Sequence, residues 1–311
     1  MRIVSFLPGA TEVVYALGLG DDLHGVTHEC DYPPQAREKP RAVCSLVATE
    51  TMASGEIDAA IGDRVSAGEA IYQIDADVLA EARPDLVLTQ GLCEVCAVPI
   101  SRVEEAVEGL SPKPQVLSLD PHSLGDLFTD IQRLGEATGS GAAAGKLVAS
   151  LEVRRERVAS RAAMAQDRPK VLCLEWLDPL ITAGHWVPEM VELAGGEDCF
   201  GRSGQPSAKV EWEQVVAAAP EVVVAMACGF DVRRGISDVH LVTEREGWDS
   251  LPAARNERLV VADGGAYFSR CGPRLLDGLE TLAEILHPEL FSGLVAAQGA
   301  SRIYGRLFKV S

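Results

Sequence analysis

Long apolar runs are missing from this chain of 311 residues. None approaches the ~20 residues that a bilayer-crossing helix needs, so no membrane insertion is expected. Basic residues are scarce as well: Lys and Arg number 28 against 46 Asp and Glu, a net charge of −18. Nucleic-acid binders carry a basic footprint to neutralise phosphates, and anionic membrane surfaces attract basic segments, so neither partner suits this chain. The acidic balance reads as a solvated surface, and a monomer is expected. Also absent are a Gly-x-Ser-x-Gly elbow, a phosphate loop and a Gly-x-Gly-x-x-Gly fingerprint. Nothing in the sequence pairs a nucleophile with a base. An enzyme is therefore the minority reading.

Eight cysteines are present, but a chain this long can bury its own core and needs no disulfide staples. Cys44, Cys173 and Cys199 lie in or beside apolar segments and are expected in the core. The first seven residues end at Pro8-Gly9, too soon for a secretory signal, and read as a strand. Two compartments stay open. The chain is cytoplasmic if Met1 is the native start, and extracytoplasmic if a signal was removed.

Short β-branched runs alternate with helical stretches, which is the pattern of an α/β fold with mainly parallel sheets. The clearest strands are predicted at residues 2–7, 86–89, 116–119, 171–174, 222–225 and 259–262. Two pairs of segments look alike. Ile3 to Leu7 with its following helix resembles Val171 to Glu175 with its own. Pro84-Asp85-Leu86-Val87 likewise resembles Pro220-Glu221-Val222-Val223. Two related lobes explain this, over residues 1–121 and 168–291, with a tail at 292–311. Residues 122–167 read as a connecting helix, capped by Ser123 and weakened by Gly135, Gly139, Gly141 and Gly145. Its later part sets Leu147, Leu151 and Val158 on an apolar face and Arg154 to Arg157 on the wet one.

Particular residues carry a family resemblance. Ser5-Phe6-Leu7-Pro8-Gly9-Ala10-Thr11-Glu12, Asp31-Tyr32-Pro33-Pro34-Gln35-Ala36 and Pro84-Asp85-Leu86-Val87 resemble the N-lobe of class III substrate-binding proteins of ABC importers. Gly195-Gly196-Glu197-Asp198, Glu213-Gln214-Val215 and Ser269-Arg270-Cys271-Gly272-Pro273-Arg274 continue the match. The resemblance implies two lobes joined by one long helix, with a small-molecule ligand held between them. Among these receptors the motifs look most like those for cobalamin, so a corrinoid is the implied ligand. In that family a glutamate on each lobe docks on permease arginines. Glu213 matches the C-lobe one, while Glu94, Glu104 and Glu105 compete for the other. The chain departs from the cobalamin receptors in having Gln90 and Ser207 where they have tryptophans. Residues 51–71 have no counterpart.

Ligands of α/β lobes gather at the carboxyl ends of parallel strands. That rule selects Pro8, Thr11, Tyr32, Gln90, Cys93, Trp176, His185, Trp186, Phe230, Tyr267 and Arg270 as ligand-facing candidates, and the resemblance adds Ser207, which stands where the cobalamin receptors have a tryptophan. The four aromatics of the C-terminal half suit a large, flat, partly apolar ligand. His185, in a loop between strand and helix, is in reach of a corrin cobalt or a ligand amide. A second arrangement is His28-Glu29-Cys30 with Cys93-Glu94-Val95-Cys96. These four soft donors (His28, Cys30, Cys93 and Cys96) would suit tetrahedral zinc or part of an iron–sulfur site. The alternatives are thiols that line the ligand site or that are merely packed. Three readings stand: a corrinoid-binding protein that delivers its ligand to an importer or handles it inside the cell, a metal protein, and an enzyme in the same site.

Overall fold

The computed structural model describes residues 1–91, 97–292 and 300–303. The chain divides into two compact units, one of Met1–Pro121, Gly125–Ser150 and Cys271–Pro273, the other of His122–Leu124, Leu151–Arg270 and Arg274–Ser311.

The first unit is built on β1 (Ile3–Ser5), β2 (Leu23–Thr27), β3 (Arg41–Ser45), β4 (Tyr72–Ile74), β5 (Leu86–Thr89) and β6 (Gln115–Ser118). Their order is β4-β3-β2-β1-β5-β6, parallel throughout except for the β4 edge. Helices cover the sheet, and Val4, Phe6, Val43, Leu79, Val87 and Val103 meet in one buried cluster. The segment without a family counterpart holds a helix, Ser54–Ser66, ahead of β4. Cys44 is exposed rather than in the core. Side chains alternate along a strand, and burying Val43 turns its neighbour Cys44 outward beside the β4 edge.

The second unit contains β7 (Lys170–Leu177), β8 (Leu180–Thr182), β9 (Glu197–Asp198), β10 (Ala208–Lys209), β11 (Val222–Ala225), β12 (Leu259–Ala262) and β13 (Ala300–Ile303). Strands β7, β11 and β12 pair in parallel, while β8, β10 and β13 add antiparallel neighbours on either side. Part of the expected tail is thus a strand of this sheet. Cys173 is buried in β7, and Cys199 is half-buried just beyond β9.

The predicted repeat has a structural basis. Asp85 ahead of β5 accepts a hydrogen bond from the Arg2 amide at 2.7 Å, and its own amide donates to the Arg2 carbonyl at 2.8 Å. Glu221 ahead of β11 accepts from the Lys170 amide at 2.9 Å and donates its amide to the Lys170 carbonyl at 2.8 Å. Each acid thereby fixes the register of a central parallel pair, Ile3 opposite Leu86 and Val171 opposite Val222. Each is reached through a left-handed residue and a buried proline: Arg83 at φ 40° and Ala219 at φ 51°.

The connecting stretch is two helices, Leu124–Ala137 and Gly141–Ala162. Gly139, at φ +70°, makes the left-handed turn between them. A Cβ on Gly135 would collide with the Cβ of Ala144, so glycine there lets the second helix fold back closely on the first. The division between the units falls inside the 22-residue second helix, at Ser150. Arg154 is not on the wet face. It shares a face with Leu151 and Val158 at helical spacing, and its guanidinium is only 29% exposed, bonded to Asp277 and Glu280.

Candidate functional site

In the first unit, the carboxyl ends of β1, β2 and β5 present three of the selected segments. Pro8 follows β1 at the first position of the helix Pro8–Ala16, where its missing N–H costs nothing. Tyr32 follows β2, is exposed, and precedes Pro33 through a cis peptide. Gln90 is half-buried just past β5. Thr11 departs from expectation. It is fully buried, donates its hydroxyl to the Leu7 carbonyl at 3.1 Å, and lies 3.1 Å from the Cys30 sulfur. A threonine one turn inside a helix bonds back to the carbonyl four residues before it, which turns Thr11 into the core.

Cys30 is accordingly a packed thiol, with the Thr27 hydroxyl 3.3 Å away on its other side. His28 is exposed, its ring 6.2 Å from that of Tyr72. The two residues of the predicted metal cluster that are described thus make contacts with different elements. Cys93 and Cys96, with Glu94, lie outside the described residues. Among the described residues, no group of three or more His, Cys, Asp or Glu is placed to hold a metal ion.

The second unit concentrates the aromatic candidates. Trp176, near the end of β7, is half-buried, and its indole N–H donates to the Asp178 carbonyl at 2.9 Å. Its ring sits 5.2 Å from Phe230, tilted 54°, in the loop after β11. Phe230 is 8% exposed, with the Arg234 guanidinium 4.8 Å from its ring centre. It is the more buried ring of the pair. Trp186 is also a core residue, 6% exposed, with its indole N–H bonded to the Phe268 carbonyl at 2.8 Å. A buried indole needs an acceptor, and this one finds it inside the unit. Tyr267 and Arg270 are half-buried after β12, with Arg274 5.7 Å from the Tyr267 ring centre.

His185 adopts a left-handed backbone at φ 54°, unusual for a residue with a Cβ. Two hydrogen bonds hold it there: its amide to the Gln205 carbonyl at 2.6 Å, and the Gly204 amide to its carbonyl at 2.9 Å. Gly184 permits this clamp, since a Cβ there would strike the Pro206 and Ser207 backbone. The imidazole ring centre is 6.0 Å from that of His122 and 5.7 Å from that of Trp186. Burial and the neighbouring His122 both hold its pKa below the usual imidazole value.

Two carboxylates that sequence reasoning missed stand among these loops. Burial pushes the Glu175 carboxyl up, partly countered by hydrogen bonds to Ser207 and to the Gly184 backbone. Burial likewise raises Asp263, which caps the turn Gly264–Tyr267 by accepting from the Ala266 amide at 2.7 Å. Glu175 ends an apolar run and Asp263 precedes two glycines, a pattern that signals chain punctuation before it signals chemistry. A depression lined by Val222, Asn256, Arg258 and Leu286 lies at the amino ends of β11 and β12, away from these loops, and no aromatic side chain lines it.

The docking candidates among the described residues are exposed. Glu213 is exposed in the first turn of the helix Trp212–Ala218. Glu104 and Glu105 are exposed on the helix Ile100–Glu108, where Glu105 pairs with Arg102 at 3.3 Å.

The chain is similar to an ABC transporter substrate-binding lipoprotein of Bacillus subtilis, 26% identical over 298 residues that span 93% of this chain and 81% of the relative. A vitamin B12-binding protein of Vibrio cholerae is 26% identical over 290 residues, 92% of this chain and 88% of the relative. In fold it resembles the periplasmic heme-binding protein RhuT of Roseiflexus sp. RS-1, with a TM-score of 0.68 at 21% identity, covering 93% of this chain and 98% of the other. The class III resemblance and the two-lobed α/β fold are thereby borne out. Residues 3–265 match the model of the periplasmic binding protein family, and the chain belongs to that family, whose members bind solutes for ABC importers and are not enzymes.

Proposed function

We propose that this chain is an extracytoplasmic receptor that presents a corrinoid to an ABC permease. The observation that carries the ligand class is Trp176 braced by Phe230 at the carboxyl ends of β7 and β11. A half-buried indole packed against a more buried ring offers a rigid apolar face, which suits a flat macrocycle. Glu175 with Ser207, and Tyr267 and Arg270 after β12, are polar groups at the same carboxyl ends of this sheet that suit the amides fringing a corrin ring. The similarity to a vitamin B12-binding protein supports the same choice.

The compartment follows from this role, and the Bacillus relative is itself named a lipoprotein. A cytoplasmic handling role is set aside. Glu213, exposed at a helix start, is the docking residue of the second unit. Glu104 and Glu105 are those available in the first among the described residues.

Isothermal titration tests the proposal with cyanocobalamin and hemin run in parallel. The expected result is one corrinoid site per chain, with Trp176→Ala weakening it by about 0.5–1.5 kcal/mol beyond the lost contact area. Heat with hemin alone would replace the corrinoid by haem. No heat with a corrinoid, haem or siderophore would end the receptor reading.

A further inference from the structure

The second unit places two imidazoles side by side and leaves one of their nitrogens without a partner. The His122 and His185 rings lie 6.0 Å apart, centre to centre, tilted 45° to one another. The Nδ1 atom of His185 is buried and makes no hydrogen bond. Buried polar atoms are nearly always paired, because an unpaired one forfeits its hydration, so its persistence calls for a cause. The backbone adds to the case. His185 sits in a left-handed conformation that is strained for any residue with a Cβ, although Gly184 is its immediate neighbour. The clamp to Gly204 and Gln205 keeps the imidazole in place in spite of that cost. Trp186 also packs near the ring, 5.7 Å away between centres, and is itself anchored through Phe268.

We infer that His122 and His185 form a two-imidazole seat for a borderline-soft divalent transition-metal ion. Imidazole nitrogen binds zinc at about 2.0–2.1 Å, and the ring centre lies about 1.1 Å beyond the nitrogen, so two rings on one ion have centres ~5.2 Å apart at the tetrahedral angle and ~6.4 Å apart when opposed, and a closure of under ~1 Å from the observed separation completes a tetrahedral seat. The observed separation falls within that reach. Imidazole suits zinc, copper, nickel and iron, whereas carboxylate-rich sites suit magnesium and calcium. Two protein donors leave positions on the ion open, which water or a small chelator fills. This seat is separate from the predicted cluster of His28 with the thiols, and it does not depend on the cargo being a corrinoid.

The test uses the full chain stripped of metal, titrated with zinc by calorimetry and with cobalt(II) by visible absorption. The expected result is one zinc ion per chain and a cobalt d–d spectrum without the thiolate-to-metal charge-transfer band. His185→Asn and His122→Gln should each weaken zinc binding at least tenfold. Asparagine tolerates the left-handed backbone, so the first variant removes the imidazole while keeping the turn. The second lies off the strained position, and thermal melting of both checks that they fold. If the wild-type chain takes up no zinc, the inference is wrong. It is equally wrong if a thiolate band accompanies cobalt, or if both folded variants bind as the wild type does.

Discussion

Arg154 and Glu280 meet through two parallel hydrogen bonds, Nε to Oε1 at 3.0 Å and Nη2 to Oε2 at 2.6 Å. Arg157 adds a third to the same carboxylate at 2.6 Å, and Asp277 takes a further bond from Arg154. The pair ties the helix Gly141–Ala162 to the helix Leu275–Leu286, whose apolar residues form much of the second unit's core. A bidentate guanidinium–carboxylate contact is among the stronger polar links available to a protein.

Glu280→Gln removes one charge of this network and leaves a largely buried guanidinium short of its partner. Breaking a buried pair costs about 3–5 kcal/mol, and with Arg154 29% exposed a loss of ~2–3 kcal/mol is expected in urea denaturation. The arginines hold the Glu280 pKa below the ordinary value of 4.5, against the effect of burial. The unfolded chain therefore binds this proton more readily than the folded one. The stabilisation is complete above pH 4.5 and fades as pH falls through the lower folded value. Melting temperature against pH should fall less steeply on the acid side for Glu280→Gln than for the wild type.

Gly9 and Gly62 predict opposite outcomes for one substitution. A Cβ on Gly9 would enter the Cys271 carbonyl, whereas one on Gly62 meets nothing within 4 Å. Gly9→Ala should destabilise by about 1–3 kcal/mol through overpacking. Gly62→Ala, inside the helix Ser54–Ser66, should stabilise by about 0.5–1 kcal/mol. Paired thermal melts decide both.

Trp186→Phe keeps most of the apolar volume and strips the Phe268 carbonyl of its buried donor. A stability loss of about 1–3 kcal/mol is expected, with ligand affinity changed little. Trp176→Ala should show the reverse balance, a clear loss of affinity with a modest loss of stability. Calorimetry and urea denaturation on both variants test the assignment of one tryptophan to the core and the other to the ligand.

Glu213→Gln should leave cobalamin affinity unchanged and weaken productive docking, because an exposed rim charge steers encounter more than it holds the cargo. Stimulation of ATP hydrolysis by the receptor in a reconstituted importer is the readout. A drop in the solution affinity for ligand instead would move Glu213 out of the docking role.

Much of the fold was legible because the strongest signals are local. Strands β5, β11 and β12 coincide with the predicted runs, since each is Val, Leu or Ala, with Thr89 alone closing β5, buried on both faces. The acid before β5 and the acid before β11 stood out as a repeat because both do the same register-setting work. Strand β3 is not among the predicted runs because Arg41 and Ser45 bound an apolar pattern only a few residues long. Strands of two residues, such as β9 and β10, leave no period to read.

The candidate site was less legible, for a different reason. Sequence places a residue in a loop, but not the direction of its side chain. Trp176 and Trp186 both follow from the strand-end rule, and only the acceptor each indole finds tells them apart. Thr11 reads as a loop residue until its hydroxyl is seen bonded back to Leu7. The left-handed turn at His185 was masked by Gly184, the residue to which such a conformation would ordinarily be assigned.

Cys271–Pro273 is the third piece of the first unit, and the Cys271 backbone lies against Gly9. A ribosome must therefore synthesise nearly the whole polypeptide before the opening helix receives its last covering segment. Contacts of such long sequence separation are slow to form, because a large loop must close before they contribute. Cutting the gene after residue 121 or 150 should yield an incomplete N-terminal half, and circular permutants that bring Cys271 near the first helix in sequence should fold faster than the natural order.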